Sequence, residues 1–148
     1  MFNFKLEKVL DYRENIEKKN KEEFSQKLAI YNREKEEVEK LTLKKQIIQS
    51  KEYTKNLKTA NDLRIYQRYL IYIEKSIEEK MMDLEEAEKE LEKSRLNLIK
   101  STKDKKIIEI LKENAFEDYL SEENRIEQKN LDDIALRGYI ESLKGGEK

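Results

Sequence analysis

The stretch that decides the fold is residues 63–91, which read LRIYQRYLIYIEKSIEEKMMDLEEAEKEL. Its apolar side chains recur at alternating steps of three and four residues, the spacing of one face of an α-helix. The stripe continues past this stretch, and its members are Leu63, Tyr66, Leu70, Ile73, Ile77, Met81, Leu84, Ala87, Leu91, Leu98, Ile108, Ala115, Tyr119, Ile126 and Ile140. A period near 3.5 kept over this length predicts a left-handed coiled coil in which the stripe faces a partner helix.

An earlier stripe with the same spacing supplies the candidate partner helix. Its apolar members are Leu6, Leu10, Ile16, Phe24, Leu28, Tyr31, Val38, Leu41 and Ile48, and polar residues fill its gaps at Arg13, Asn20, Lys35 and Lys45. Residues 50–61 between the stripes have no such spacing. They lead into Thr59-x-x-Asp62, which has the form of a helix capping box with Asp in place of the usual Glu. We therefore predict that the chain reverses there.

These patterns predict an all-α fold, a long antiparallel two-helix coiled-coil hairpin whose second helix overhangs the first. The residues 1–148 form one domain, with helix 1 at about 4–49, a turn at about 50–61, helix 2 at about 61–143 and a disordered tail at 144–148. One continuous helix in a parallel dimer remains the alternative, because neither Pro nor Gly marks the bend.

A reversal near residue 56 makes facing residue numbers add to about 112, with Phe24 opposite Ala87. Helix 1 then ends opposite Ile107, and the rest of helix 2 carries an uncovered apolar face, which is typical of a binding surface. The members of that face are Ile108, Leu111, Ala115, Phe116, Tyr119, Ile126, Ile134 and Ile140. A helix break near Ser121 with the tail folded back, or self-association, would also cover it.

The composition argues against catalysis. The 148 residues include no His, Cys, Pro or Trp, 44% of them are charged, and the mean hydropathy is −1.02. Without imidazole or thiol groups the chain cannot build a Ser-His triad, a Cys nucleophile or an ordinary zinc site. Phosphate-binding loops, Glu-x-x-His pairs and EF-hand loops are absent from the sequence. We predict no enzyme, no catalytic residue, no metal, no cofactor and no small-molecule substrate.

The charge pattern and the hydropathy bear on partners and location. Residues 113–148 contain ten Asp and Glu against five Lys and Arg. A basic patch at Lys100, Lys103, Lys105 and Lys106 has no neighbouring aromatic residue, so we expect no nucleic-acid partner. No segment approaches 18 apolar residues, and the N-terminus has no signal-peptide pattern. We predict a soluble cytoplasmic protein.

Three tyrosines lie close together at the start of helix 2. On a helix, Tyr66, Tyr69 and Tyr72 point over more than half of the circumference, so they cannot all join the stripe. Tyr66 belongs to it, and at least one of the others must stand outside. Exposed Tyr is common at protein–protein hot spots, although an aromatic shoulder that covers the hairpin end is an equal reading.

Three motifs in order resemble the flagellar export protein FliJ family. The first is Phe4-x-Leu6-Glu7-x-Val9-Leu10-x-x-Arg13-x-x-x-Glu17. The second is Tyr66-Gln67-Arg68-Tyr69-Leu70 with Ile73-Glu74-Lys75-Ser76-Ile77-Glu78, and the third is Glu123-Asn124-Arg125-Ile126-Glu127-Gln128-Lys129-Asn130-Leu131-Asp132-Asp133. The third is polar and is hard to attribute to coiled-coil composition, so it is the most specific.

The resemblance implies a stalk-like part of the bacterial flagellar type III export apparatus. Its implied partners are the export ATPase, the cytoplasmic domain of the export-gate membrane protein and export chaperones, with membrane contact only through the apparatus at the flagellar base. By position, the ATPase-facing residues would be Arg13, Arg125, Gln128, Lys129, Asp132 and Asp133, and the gate-facing stripe would be Tyr69, Ile73, Ser76 and Lys80. A stalk of virulence type III secretion and a scaffold without a secretion role are the alternatives.

Overall fold

The computed structural model describes residues 1–146 and contains three helices in that range. These are α1 at Glu7–Ile48, the one-turn helix α2 at Lys51–Thr54, and α3 at Ala60–Gly145. The part of the chain that is described contains no strand. The predicted tail at 144–148 overlaps the end of α3 at Lys144 and Gly145, and its last two positions lie outside the described residues.

The capping box at the start of α3 is confirmed. The Asp62 backbone N–H donates to the Thr59 hydroxyl at 3.0 Å, and the Thr59 N–H donates to the Asp62 carboxylate at 3.3 Å. These two hydrogen bonds satisfy donors that a helix start leaves without partners. The Ser50 hydroxyl caps α2 in the same manner by accepting from the Tyr53 N–H. The chain thus reverses with capped helix starts and needs neither Pro nor Gly.

The contacts divide the chain into two compact units. The hairpin unit is Asn15–Thr102, and the terminal unit is Met1–Glu14 with the chain from Lys103 onward. In the hairpin unit, α1 and α3 run antiparallel. Asn20 donates a hydrogen bond to the Asn97 carbonyl, and three ion pairs also connect the two helices, namely Lys27 with Glu90, Glu34 with Lys80 and Lys45 with Glu74. In the terminal unit, Glu7 pairs with Lys112 at 2.9 Å and Arg13 with Asp104 at 3.2 Å. The predicted hairpin is therefore confirmed.

The predicted register is wrong by about five residues. Across the hairpin unit the numbers of paired residues add to between 114 and 119, for example 117 for Asn20 with Asn97. The reason is α2, which the sequence reasoning did not anticipate. This extra turn of helix follows α1 and shifts the centre of the paired numbers from about residue 56 to about residues 57–60, so Phe24 does not face Ala87.

The seam between α1 and α3, defined as the side chains that these helices turn toward each other, is unusually polar. The buried hydrophobic residues are Leu10, Ile48, Ile73 and Ala87, and Glu17, Ser94 and Ser101 are buried beside them. Ionic and amide pairs fill many of the remaining seam positions. The chain exposes 12471 Å², against ~8,000 Å² for a compact protein of its mass. Most side chains are therefore free to meet other molecules.

Candidate functional site

The N-terminal residues 1–6 extend the pairing of α3 beyond the start of α1. The Phe2 ring lies 5.2 Å from Phe116 and 5.5 Å from Tyr119, measured between ring centroids. Because of this cluster and the register change, the prediction that α3 loses its partner at Ile107 is wrong. Ile108, Ala115 and Tyr119 are partly covered, and the uncovered part begins after Tyr119.

The C-terminal segment, defined as residues 121–146, is exposed at every position. It continues α3 without a break at Ser121, so neither the break nor the folded-back tail occurs. Its exposed large apolar residues are Ile126, Leu131, Ile134, Leu136, Tyr139, Ile140 and Leu143. Over the described residues, no other part of the chain covers them. The predicted uncovered apolar surface is confirmed for this segment.

Side chains of the C-terminal segment bond only along their own helix. Arg125 donates from Nε and Nη2 to the two carboxylate oxygens of Glu122 at 3.1 and 2.7 Å. These bonds and the charge of Arg125 hold the pKa of Glu122 below its ordinary value, and they raise the pKa of Arg125. Gln128 donates to Asp132 at 3.4 Å. Such exposed pairs are worth little to stability, so a partner can displace them at small cost.

The Tyr119 hydroxyl marks the junction between the covered and uncovered parts of α3. It donates to Glu123 at 2.6 Å, and this hydrogen bond raises the pKa of Tyr119. The ring of Tyr119 meanwhile packs on Phe2. Tyr119 therefore connects the N-terminal residues to the start of the C-terminal segment.

The six predicted ATPase-facing residues do not form one cluster. Arg125, Gln128, Lys129, Asp132 and Asp133 all lie exposed on the C-terminal segment. Arg13 is partly buried against Asp104, about 30 Å earlier along α3 than Arg125. Its Nε is buried without a hydrogen-bond partner, while Nη1 makes the ion pair. The structure thus places Arg13 in the seam and the other five on the uncovered surface.

The four predicted gate-facing residues also divide between seam and surface. Tyr69 is 42% exposed, whereas Ile73 is only 2% exposed and is the most completely buried side chain of the described part of the chain. Lys80 pairs with Glu34 at 3.2 Å, and Ser76 donates to the Tyr72 carbonyl on its own helix. Ile73 is therefore a core residue in this structure, and Tyr69 is the member that presents a large side chain to solvent.

The expectation about the three tyrosines is confirmed. Tyr66 is partly buried in the seam with its ring 6.1 Å from Tyr53, while Tyr72 is 66% exposed. Tyr69 and Tyr72 stack at 6.5 Å with 17° between their ring planes. Two adjacent tyrosine rings thus stand outside the seam at the start of α3.

Sequence reasoning missed the contact of Phe2 with α3. The available signal was the pair of aromatic residues at positions 2 and 4 before the first helix, together with Phe116 and Tyr119 in the second. Heptad spacing cannot detect it, because Phe2 lies outside any helix.

Comparison with known proteins gives one family match. The family described as the flagellar FliJ protein matches residues 2–144. No curated protein and no solved structure matches the chain. Within residues 1–146, no helix is long and apolar enough to cross a membrane.

Proposed function

The chain belongs to the flagellar FliJ protein family, and on that premise we propose that it is a stalk-like component that binds the ring of the export ATPase. Membership makes it a coiled-coil protein associated with flagellar export, and the family is non-catalytic. The proposal adds the ATPase, the export gate and the export chaperones as partners. It also places the protein in the cytoplasm, peripherally at the inner face of the membrane at the flagellar base.

The observation that carries the ATPase contact is the C-terminal segment. It is a continuation of α3 that exposes every side chain, and it begins where the N-terminal residues end. An amphipathic helix without a partner can be covered by a groove or a ring of another protein. Binding there requires no opening of the seam, because the segment's own hydrogen bonds are local.

Charge favours a partner of mixed polarity for this segment. The stretch 113–148 carries ten acidic and five basic residues, and Arg125, Lys129 and Arg137 are interspersed with the acids. Complementary charges set the orientation and the association rate of a complex more than its affinity. The apolar residues of the segment, such as Ile126 and Ile134, would supply most of the binding free energy.

A gate contact at the start of α3 is supported by the exposed Tyr69 and Tyr72. Tyrosine is enriched among residues that dominate interface energetics, and these rings need no rearrangement to reach a partner. Ile73 and Lys80 would act indirectly, by holding this part of α3 on α1. Chaperone cycling rests on the family alone. The family also favours the flagellar machine over the virulence and scaffold alternatives.

The test of the ATPase contact is to delete residues 121–148 and measure assembly of the export ATPase ring of the source organism. The deletion keeps Phe116 and Tyr119, so the cluster with Phe2 and all of α1 stay covered. We expect circular dichroism to show a folded hairpin and ring assembly to fall to the level without the protein. Full stimulation by the shortened chain would place the interface elsewhere.

A matched pair of substitutions makes the test local. Arg125→Ala and Arg95→Ala each remove an exposed arginine bonded to a glutamate three residues earlier on α3. Only the first lies on the C-terminal segment. We expect Arg125→Ala to weaken ATPase binding and to reduce its salt dependence, whereas Arg95→Ala leaves both unchanged. Equal effects of the two variants would mean that Arg125 contributes to ATPase binding only through the net charge of the protein and not through a local contact.

A further inference from the structure

The end of the hairpin unit carries a concentrated positive charge. This basic end, defined as residues 51–68, contains five cationic residues against Glu52 and Asp62, and the cationic residues are Lys51, Lys55, Lys58, Arg64 and Arg68. All five are exposed. Within residues 1–146, none of the five forms an ion pair. Asp62 is held in the capping box of α3.

Apolar and aromatic side chains are interleaved with these cations. Tyr53, Leu63 and Ile65 are each at least 41% exposed. Arg64 and Arg68 are one helical turn apart on α3, and Ile65 and Tyr69 are their immediate neighbours, so a cationic row runs beside an apolar row. Elsewhere in the hairpin unit, lysines such as Lys27 and Lys80 are paired with carboxylates across the seam.

We propose that the basic end docks on the surface of an anionic lipid bilayer. Clusters of four to eight Lys and Arg bind anionic lipids at about 1 kcal/mol per residue, and Tyr prefers the headgroup region. Shallow insertion of apolar side chains adds the second contribution that stable surface binding requires. Three of the five cations are lysines, which are depleted in protein interfaces, so residues 51–68 fit a lipid surface better than a protein. Tyr69 and Tyr72, which support the gate contact, lie just beyond this range.

The neighbouring part of α3 sets the orientation on the bilayer. Residues 74–92 contain nine acidic residues against three lysines. Asp83, near the centre of this acidic band, lies about 22 Å along the helix from Arg68, which is more than two Debye lengths at physiological salt. Repulsion by the bilayer would oppose any pose that lays the band on the surface. The hairpin unit therefore meets the bilayer with its end.

This inference goes beyond the proposed function, and it departs from the expectation that the protein meets the membrane only through the export apparatus. It does not depend on the ATPase contact, which lies in the terminal unit. Loss of lipid binding would leave the ATPase contact intact, and the reverse also holds. The gate contact at Tyr69 and Tyr72 adjoins the basic end, but substitution of Lys55 and Lys58 leaves both tyrosines in place, so the proposals fail separately.

The experiment is flotation of the full-length protein with lipid vesicles, comparing pure phosphatidylcholine with vesicles that contain about 30 mol% phosphatidylglycerol. We expect at least about 10-fold stronger partition into the anionic vesicles, and loss of that difference at about 0.5 M salt. Equal partition into both vesicles would overturn the proposal. So would tighter binding to a single-stranded oligonucleotide than to the anionic vesicles.

Matched double variants locate the surface. Lys55→Gln with Lys58→Gln removes two charges from the basic end and should weaken partition about 30-fold, at about 1 kcal/mol per charge. Lys100→Gln with Lys103→Gln removes the same charge from the other exposed basic patch and should change partition less than about 2-fold. Circular dichroism checks that both variants stay helical. An equal loss in the two variants would contradict docking by the basic end.

Discussion

Truncation of Ile73 distinguishes a core position from a partner-binding position. Ile73 is 2% exposed, and the other buried hydrophobic residues within residues 1–146 are Leu10, Ile48 and Ala87. Ile73→Ala removes three carbon atoms, worth about 2.4 kcal/mol of transfer free energy at ~0.8 kcal/mol for each buried methylene group. Reported losses for Ile→Ala in cores are about 2 to 5 kcal/mol. We expect about 2.5 kcal/mol, because the two-helix seam can partly close on the gap.

Ile71 provides the matched control for this substitution. It lies one position away from Tyr72 on the outer side of α3 and is 63% exposed. Ile71→Ala makes the same chemical change with the same gain in helix propensity, a few tenths of a kcal/mol. We therefore expect it to cost no more than about 0.5 kcal/mol. The difference of about 2 kcal/mol between the variants reports the burial of Ile73.

The assay is urea unfolding of both variants followed by circular dichroism at 222 nm. With a slope of about 2 kcal/mol/M, the midpoint of Ile73→Ala should lie about 1 M below that of Ile71→Ala. The signal should be fitted with separate transitions if the two units unfold independently. Midpoints within about 0.25 M of each other would refute the assignment of Ile73 to the core. Equal midpoints would instead support the assignment of Ile73 to the gate-facing surface.

Two further substitutions test neighbouring features of α3. Tyr69→Ala should cost less than about 1 kcal/mol of stability. In calorimetry, it should weaken binding to the export-gate cytoplasmic domain by more than about 30-fold. The control Tyr12→Ala, which also removes an exposed tyrosine, should leave that binding unchanged. A large stability loss with unchanged binding would make Tyr69 a structural residue. Thr59→Ala should lower the free energy of unfolding by about 1 kcal/mol in urea titrations, because the hydroxyl that accepts from the Asp62 N–H is lost, while the backbone N–H at position 59 still donates to Asp62. Thr59→Ser keeps the hydroxyl and should keep most of the stability. Equal stability of the two Thr59 variants would contradict the cap.

The sequence was sufficient for the two long helices and for the direction of the hairpin. Heptad spacing is a property of each helix alone, and the cap at Thr59 depends on residues only three positions apart. The register could not be predicted from the sequence pattern. The register depends on how many residues the connection between α1 and α3 uses. The extra turn α2 is stabilised by a local Ser50 cap that the apolar pattern does not reveal.

The candidate site was predictable only in part, for a related reason. Arguments from spacing placed Ile73 on the buried stripe, while the family resemblance placed it on a partner-facing stripe, and the structure agrees with the spacing. Spacing also placed Arg13 in a polar gap of the first stripe, while the resemblance placed it among the ATPase-facing residues. The structure shows Arg13 in the seam, where it pairs with Asp104, 91 residues away in the chain. The packing of Phe2 on Phe116 likewise joins distant residues. Pairings between distant residues of this kind are fixed by the register.

The most direct test of the central claim is hydrogen exchange of the full-length protein, alone and with the export ATPase. The claim is that residues 121–146 form an uncovered helix that the ATPase covers. Free, its amides should exchange at least about 100-fold faster than those of residues 70–98, which pack on α1. With the ATPase, protection should rise in residues 121–146 and stay unchanged in residues 70–98. Unchanged exchange in residues 121–146, with new protection confined to the hairpin unit, would contradict the account.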